Sequence, residues 1–179
     1  MSQEAFWNWS QEAYARPGAA AALIRLQDEA GLNVNVALWC AWRARAIGDV
    51  PEIAIRCAMD AAAPIGAGVT QPLRAARRAL RPPPPGVGAE AGAALYETLK
   101  AAELDAERLE QAAIVAATSS WAPSAATADE PEPRARRALA VYGRIAGAAR
   151  RPGFSVELLS AVAAAIFPRS HDADEGATG

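Results

Sequence analysis

Apolar residues recur at steps of three and four along most of the chain, and no stretch alternates long enough to make a strand, so the pattern predicts helices throughout. Ser2 stands where a cap belongs, ahead of a segment carrying Phe6, Trp7, Trp9 and Tyr14. In "ARPGAAAALIRLQDEAG", Pro17 suits a first turn and Gly31 a stop, which outlines a second helix. Asn33 is placed to cap a third, Val34 to Ile47, closed by Gly48. "GDVPE" repeats the punctuation, with Asp49 as cap, Pro51 in the first turn and Glu52 reaching back as in a capping box. That fourth helix is expected to run to about Ala62, where "APIGAGVTQP" reads as a break before a short fifth helix in "QPLRAARRALR".

"RPPPPGVG" then forms a stiff polyproline spacer that cannot be helical. The longest helix follows, about Ala89 to Thr118, with Leu95, Leu99, Ala102, Ala106, Leu109, Ala113 and Ala116 at the spacing of a packing seam. Glu103, Asp105, Glu107 and Glu110 fall largely outside that seam. "SSWAPSAATADEPEP" reads as a loop, and two more helices are expected, about Arg134 to Arg150 and Ser155 to Phe167. The expected fold is an all-α bundle of about seven or eight helices without a sheet. It forms one domain over residues 1–167, an aromatic-rich half at 1–81, the spacer at 82–88 and the remaining helices at 89–167, with a disordered tail at 168–179.

Composition changes this picture little. A net charge of -2 gives no overall attraction to nucleic acid or to an anionic membrane. The longest uninterrupted apolar run, Val36 to Trp42, is too short to span a bilayer, and "MSQEAFWNWSQEAY" lacks the basic start of a signal peptide. A cytoplasmic protein is therefore expected, with Cys40 and Cys57 as reduced thiols in inert core positions.

Candidate chemistry is sparse. The single histidine, His171, lies in the tail, which excludes a histidine base, a Cys-His pair or a histidine-rich metal site. "GAG" at Gly66 to Gly68 lacks the following residues of a phosphate loop. Glu103, Glu107 and Glu110 share a helix face, but a carboxylate metal site usually adds histidines, so a solvated acidic face is the expectation. Arg74, Arg77, Arg78 and Arg81 make a basic face that could hold a phosphate, an RNA backbone or an acidic partner. The competing reading is pairing with the acidic face just beyond the spacer. Four prolines extend only about 12 Å, so the two helices can fold back on each other. No catalytic residue, metal ligand or cofactor is expected.

The order of four segments carries a resemblance. "FWNWSQEAYARPG", "LIRLQDEAGLNVNVALWCAW", "QPLRAARRAL" and "ELDAERLEQ" resemble a family of short, all-helical bacterial proteins of unknown function. Its members combine an aromatic N-terminal helix with LQD-x-x-G-x-(N/D)-V-N, PLR-x-x-RR and EL-x-AE elements. The likeness covers about Phe6 to Leu109. It implies that these segments belong together as one unit, and it implies no activity, cofactor or partner.

One stretch inside that unit raises a question. "LQDEAGLNVNVALWCAW" sets Gln27, Asp28, Asn33 and Asn35 against the apolar start of a helix. Asn33 is explained as a cap. Asn35 shares a stripe with Leu38, Trp39 and Trp42, where an unpaired amide would cost about 1–3 kcal/mol, so it needs a partner. Gln27 and Asp28 are nearest in sequence, and the preferred expectation is an internal clamp. The alternative is a pocket lined by Trp7, Trp9, Trp39 and Trp42 with those polar groups at its rim. The function expected is that of a non-enzymatic adaptor that binds another protein through a helix face, with nucleic acid and membrane disfavoured as partners. A small-molecule binder or enzyme using the Gln27/Asp28/Asn35 pocket is the alternative, and RNA or ribosome contact through Arg74 to Arg81 comes third.

Overall fold

The helix from Val34 to Ile47 has hardly a polar side, and its surroundings follow from that. Every residue from Asn35 to Ala44 is buried, so this helix must be covered all round. In the computed structural model, which describes residues 2–121 and 130–167, it is the central element, and the chain winds the others about it. In order they are α1 (Gln3–Tyr14), α2 (Ala19–Asp28), α3 (Val34–Ile47), α4 (Glu52–Ile65), α5 (Gln71–Arg78), α6 (Ala89–Ala117), α7 (Pro131–Ile145) and α8 (Val156–Ile166). The described residues contain no strand, so the architecture is an all-α bundle. α7 provides the largest cover on α3, while α1, α4 and α6 close the other sides and α8 packs on α2 and α7. One continuous core results, with Phe6, Leu23, Leu26, Trp39, Ile55, Ile114, Leu139, Leu159 and Ile166 among its fully buried members.

Several boundaries follow the local chemistry. Ser2, Asn33 and Ser155 each cap a helix by accepting from a backbone N–H three residues on. Gly31 and Gly48 leave their helices with positive φ, at 61° and 89°. Other boundaries differ from expectation. α2 starts only at Ala19, after Gly18, so Pro17 lies outside its first turn. Pro51 itself occupies the N-cap of α4. Asp49 caps nothing but takes Arg137, and Glu52 takes Arg56 and Arg144 in place of closing a capping box. α7 begins at Pro131, whose ring suits a first helical turn, and stops at Ile145, followed by a single 3-10 turn at Ala148–Arg150. The expected tail at 168–179 and the loop positions 122–129 lie outside the described residues.

Two corrections bear on the site. The stretch "APIGAGVTQP" does not break the chain. α4 runs through Pro64 into a π-helical turn, Gly66–Thr70, and on into α5. The wide turn is closed by the Gln71 N–H donating to the Gly66 carbonyl, and it absorbs the donors missing at Pro64 and Pro72. The run Glu52–Arg78 therefore passes, marginally and by length and composition alone, for a membrane span, with mean hydropathy 1.2. Its Ala54, Ile55, Ala58 and Ala62 are buried in the bundle, where α4 packs against α6.

α6 is the second correction. Its buried residues include Glu103, Ala106, Glu110, Gln111 and Ile114, whereas Leu95 is 49% and Leu109 63% exposed. At about 100° per residue, the buried arc is turned roughly a quarter-turn from the expected apolar seam. The carboxylates that looked like a solvated face point inward. The reason lies across the spacer: α5 folds back onto α6 and brings its arginines with it.

Candidate functional site

The inward-turned stripe of α6 meets polar groups from α1, α2, α3 and α5. Arg74 is the hub of one layer. Its Nε donates to Glu103 at 2.6 Å, one terminal nitrogen donates to Glu107 at 2.7 Å, and the other donates to Gln27 Oε1. Arg77 binds both oxygens of Glu103, at 2.5 and 3.3 Å, and donates to the Tyr96 hydroxyl at 3.2 Å. Arg78 reaches Asp28, and the Arg81 guanidinium lies 4.0 Å from the Tyr96 ring centre. The basic face is thus paired with the acidic one, the competing possibility raised by the short spacer. These bonds use planar, charge-assisted geometry that lysine could not reproduce.

A second layer lies next to the first. Asn33 caps α3 with its Oδ1, and its Nδ2 donates to Glu110. Thr70, delivered by the π turn, donates to the other Glu110 oxygen at 3.1 Å. Gln111 donates to Asn35 at 2.9 Å and to Ser10 at 3.1 Å, while the Ser10 hydroxyl donates to the Trp7 carbonyl. Tyr142 of α7 accepts from the Asn33 backbone N–H at 2.8 Å. The partner of Asn35 is therefore Gln111 of α6, not Gln27 or Asp28. Gln27 is held by Arg74 and bonds Asp28 itself.

Burial sets the electrostatics. It pushes the carboxyls of Glu107 and Glu110 above the usual range, although hydrogen bonds from Arg74 to the first and from Asn33 and Thr70 to the second pull the other way. Burial also acts on Glu103, but there the Arg77 and Arg74 guanidiniums prevail and hold its carboxyl below the usual range. Glu110 is 1% exposed, and every group that bonds it is neutral. The Cys40 thiol is buried and pushed up, which keeps it protonated and inert.

Space adjoins both layers. A cavity of about 480 Å3 is bounded by the Gly31–Asn35 turn, Gly66, Thr70, Arg74, Ala75, Glu107, Glu110 and Arg151. A groove of about 630 Å3 runs alongside, between Tyr14, Ile24, Leu38, Tyr96 and Leu104. The two share a wall containing Gln27, Asn35, Arg74 and Glu107. Of the sequence candidates, Gln27, Asn33 and Asn35 line the cavity, and Arg74 and Arg78 stand on both walls. Asp28 does not line it. Trp39 and Trp42 are core, the latter tilted against Phe6 with ring centres 4.9 Å apart, and no tryptophan lines the cavity or the groove, so the polar groups do not stand at the rim of an aromatic pocket. Thr70, Gln111 and Ser10 were missed, as were Tyr142 and Arg151. Glu110 and Gln111 had a signal, since they end a stripe of polar residues at helical spacing opposite four arginines. Tyr142 and Arg151 had none.

Fold and site together define an all-helical bundle with a charged, hydrogen-bonded network at its centre and a ligand-sized cavity beside it. The four segments whose order marks the resemblance supply most of the network, with Thr70, Tyr96 and Tyr142 added from outside them. The chain belongs to the family described as Protein of unknown function (DUF2390), whose family model matches residues 5–114. No curated protein and no solved structure matches the chain. Among the described residues, no three His, Cys, Asp or Glu side chains are grouped to hold a metal ion.

Proposed function

We propose that this protein is a binding module that takes up a small polar molecule in the cavity between the Gly31–Asn35 turn, the π turn, α5 and α6. The observation that carries this reading is Glu110. A purely structural network gains little from burying a carboxylate with only neutral partners, because desolvation outweighs what neutral hydrogen bonds return. Such a group beside a cavity of ligand size is the pattern of a binding site. The π turn supports the same reading, since interruptions of this kind concentrate at functional positions and this one delivers Gly66 and Thr70 to the wall. Two free cysteines suit action in the cytoplasm.

Ala75 offers a direct test. It lines the cavity from α5, is exposed, and makes none of the network bonds. Ala75→Trp should fill the cavity and leave the melting temperature nearly unchanged. Native mass spectrometry of the protein isolated from cells should show a small molecule on the wild type and none on the variant. Equal, ligand-free spectra from both would remove the proposal.

The adaptor reading keeps one specific support. The outward-turned seam of α6 leaves Leu95 and Leu109 exposed at the spacing by which helices pack on each other. A helix of a second protein is the occupant that this spacing fits. Replacing both leucines with glutamate should abolish capture of such a partner while the helical circular dichroism persists. Arg74 and Arg77 already carry carboxylates, so RNA contact through them has no support and is not proposed.

A further inference from the structure

The cavity bears groups of opposite charge in two places, and neither Glu110 at one nor Arg151 at the other has an ion-pair partner among the described residues. On its inner wall, Glu110 is held by Asn33 and Thr70, both neutral. Beside it, Glu107 gives Oε1 to Arg74, while its Oε2 accepts no hydrogen bond from the described residues. At the rim, the exposed Arg151 lies over Gly31, and its guanidinium makes no hydrogen bond or ion pair with the described residues. The other two arginines on the wall are committed, Arg74 to Glu103, Glu107 and Gln27, and Arg78 to Asp28. Resting on the small-molecule reading above, we propose that the ligand is a zwitterion of amino-acid type, its ammonium group against Glu107 and Glu110 and its carboxylate on Arg151.

The wall is shaped for that arrangement. Gly66 stands where a methyl group would lie 3.3 Å from Asn33 Nδ2 and 3.4 Å from Glu110 Oε1, so glycine keeps the inner end open. A methyl on Gly31 would lie 1.7 Å from a terminal nitrogen of Arg151, and with φ at 61° the position is closed to other residues twice over. Gly31 thereby keeps the place where the rim guanidinium rests. An ammonium group entering the inner end would supply donors to Glu107 Oε2 and a cation in direct contact with Glu110, which Arg74 reaches only through space. Charge-assisted bonds in a site shielded from water are the strong ones. A dianion would meet two carboxylates at that end, and a dication would meet Arg151 at the other.

Three probes of matched chain length separate the possibilities: δ-aminovalerate, cadaverine and glutarate, each added to the full-length protein while its melting temperature is followed. δ-Aminovalerate should raise it most, and glutarate should not raise it. Arg151→Gln, at an exposed position, should abolish the preference for δ-aminovalerate over cadaverine. Glu107→Gln, with folding checked by circular dichroism, should weaken both amines. Stabilisation by glutarate equal to or above that by δ-aminovalerate overturns the zwitterion, as does an Arg151→Gln protein with an unchanged preference. A retained small molecule of another charge type, with no response to δ-aminovalerate, overturns the zwitterion and leaves the binding module standing. If no molecule is retained and no probe binds, both fall.

Discussion

Asn35 shows how much one side chain can reveal before its neighbours are known. That it needed a partner followed from its place on an apolar stripe; which partner did not, because Gln111 lies 76 positions away and only the packing of α6 brings it near. Asn35→Ala should lower stability by about 1–3 kcal/mol, the cost of stranding a buried group. A double-mutant cycle in denaturant should give coupling of about 0.5 kcal/mol or more with Gln111→Ala, and none with Asp28→Asn. Coupling to Asp28 would restore the local clamp. Glu110 makes a second prediction, with its sign set by burial. Its carboxyl is raised in the folded state, so its contribution is most favourable below the ordinary glutamate value of about 4.3 and is lost as pH rises through the folded value. Glu110→Gln keeps the shape and can still bond Asn33 and Thr70. The variant should therefore melt above the wild type at neutral pH, and the difference should shrink toward zero as the medium is acidified. Glu103, whose depressed carboxyl works in the opposite sense, is common to both proteins and cancels. A variant that melts lower at neutral pH would show that the bonds to Glu110 outweigh its desolvation.

At the scale of the element, α6 separates what periodicity can and cannot say. Its length and its helical state were legible, and so was its meeting with α5 across the spacer. Its rotation was not. A seam of leucine and alanine at steps of four and three normally faces the core, and it lost here to Glu103 and Glu107, which gain arginine partners only on the inside, and to Glu110, which gains Asn33 and Thr70 there. Two substitutions read the rotation directly. Leu109→Gln, at a position 63% exposed, should change stability by less than about 0.5 kcal/mol. Ile114→Ala, fully buried, should cost about 2–5 kcal/mol. Comparable losses from the two would return the seam to the core and the carboxylates to solvent. The π turn was illegible for a related reason. Pro64, Gly66, Gly68 and Pro72 are all breakers in an isolated helix, and only the docking of α4 and α5 on α6 holds them in one helical run.

The whole molecule adds what no local pattern carried, the dependence of the family-matched part on the rest. The match ends at residue 114, yet the network and its cover extend beyond it. Tyr142 fastens the Asn33 backbone, Arg151 sits on Gly31, α7 provides the largest cover on α3, and α8 packs on α2. Leu139, Tyr142, Leu159, Val162 and Ile166 belong to the same continuous core as Phe6, Leu26 and Trp39. A chain ended at Trp121 would bare the α3 and α2 faces that these residues cover. Each large side chain so uncovered forgoes about 1.5–3 kcal/mol of burial, and a handful of them exceeds the 5–15 kcal/mol by which a domain is usually stable. The shortened chain should keep some helical circular dichroism but lose its cooperative thermal transition and bind a hydrophobic dye. A chain ended at Phe167 retains every contact described and should melt cooperatively. If the chain ended at Trp121 also melts cooperatively without binding dye, the matched region is a folding unit in its own right. The cavity, bounded in part by Arg151, would then have been added to a core already complete.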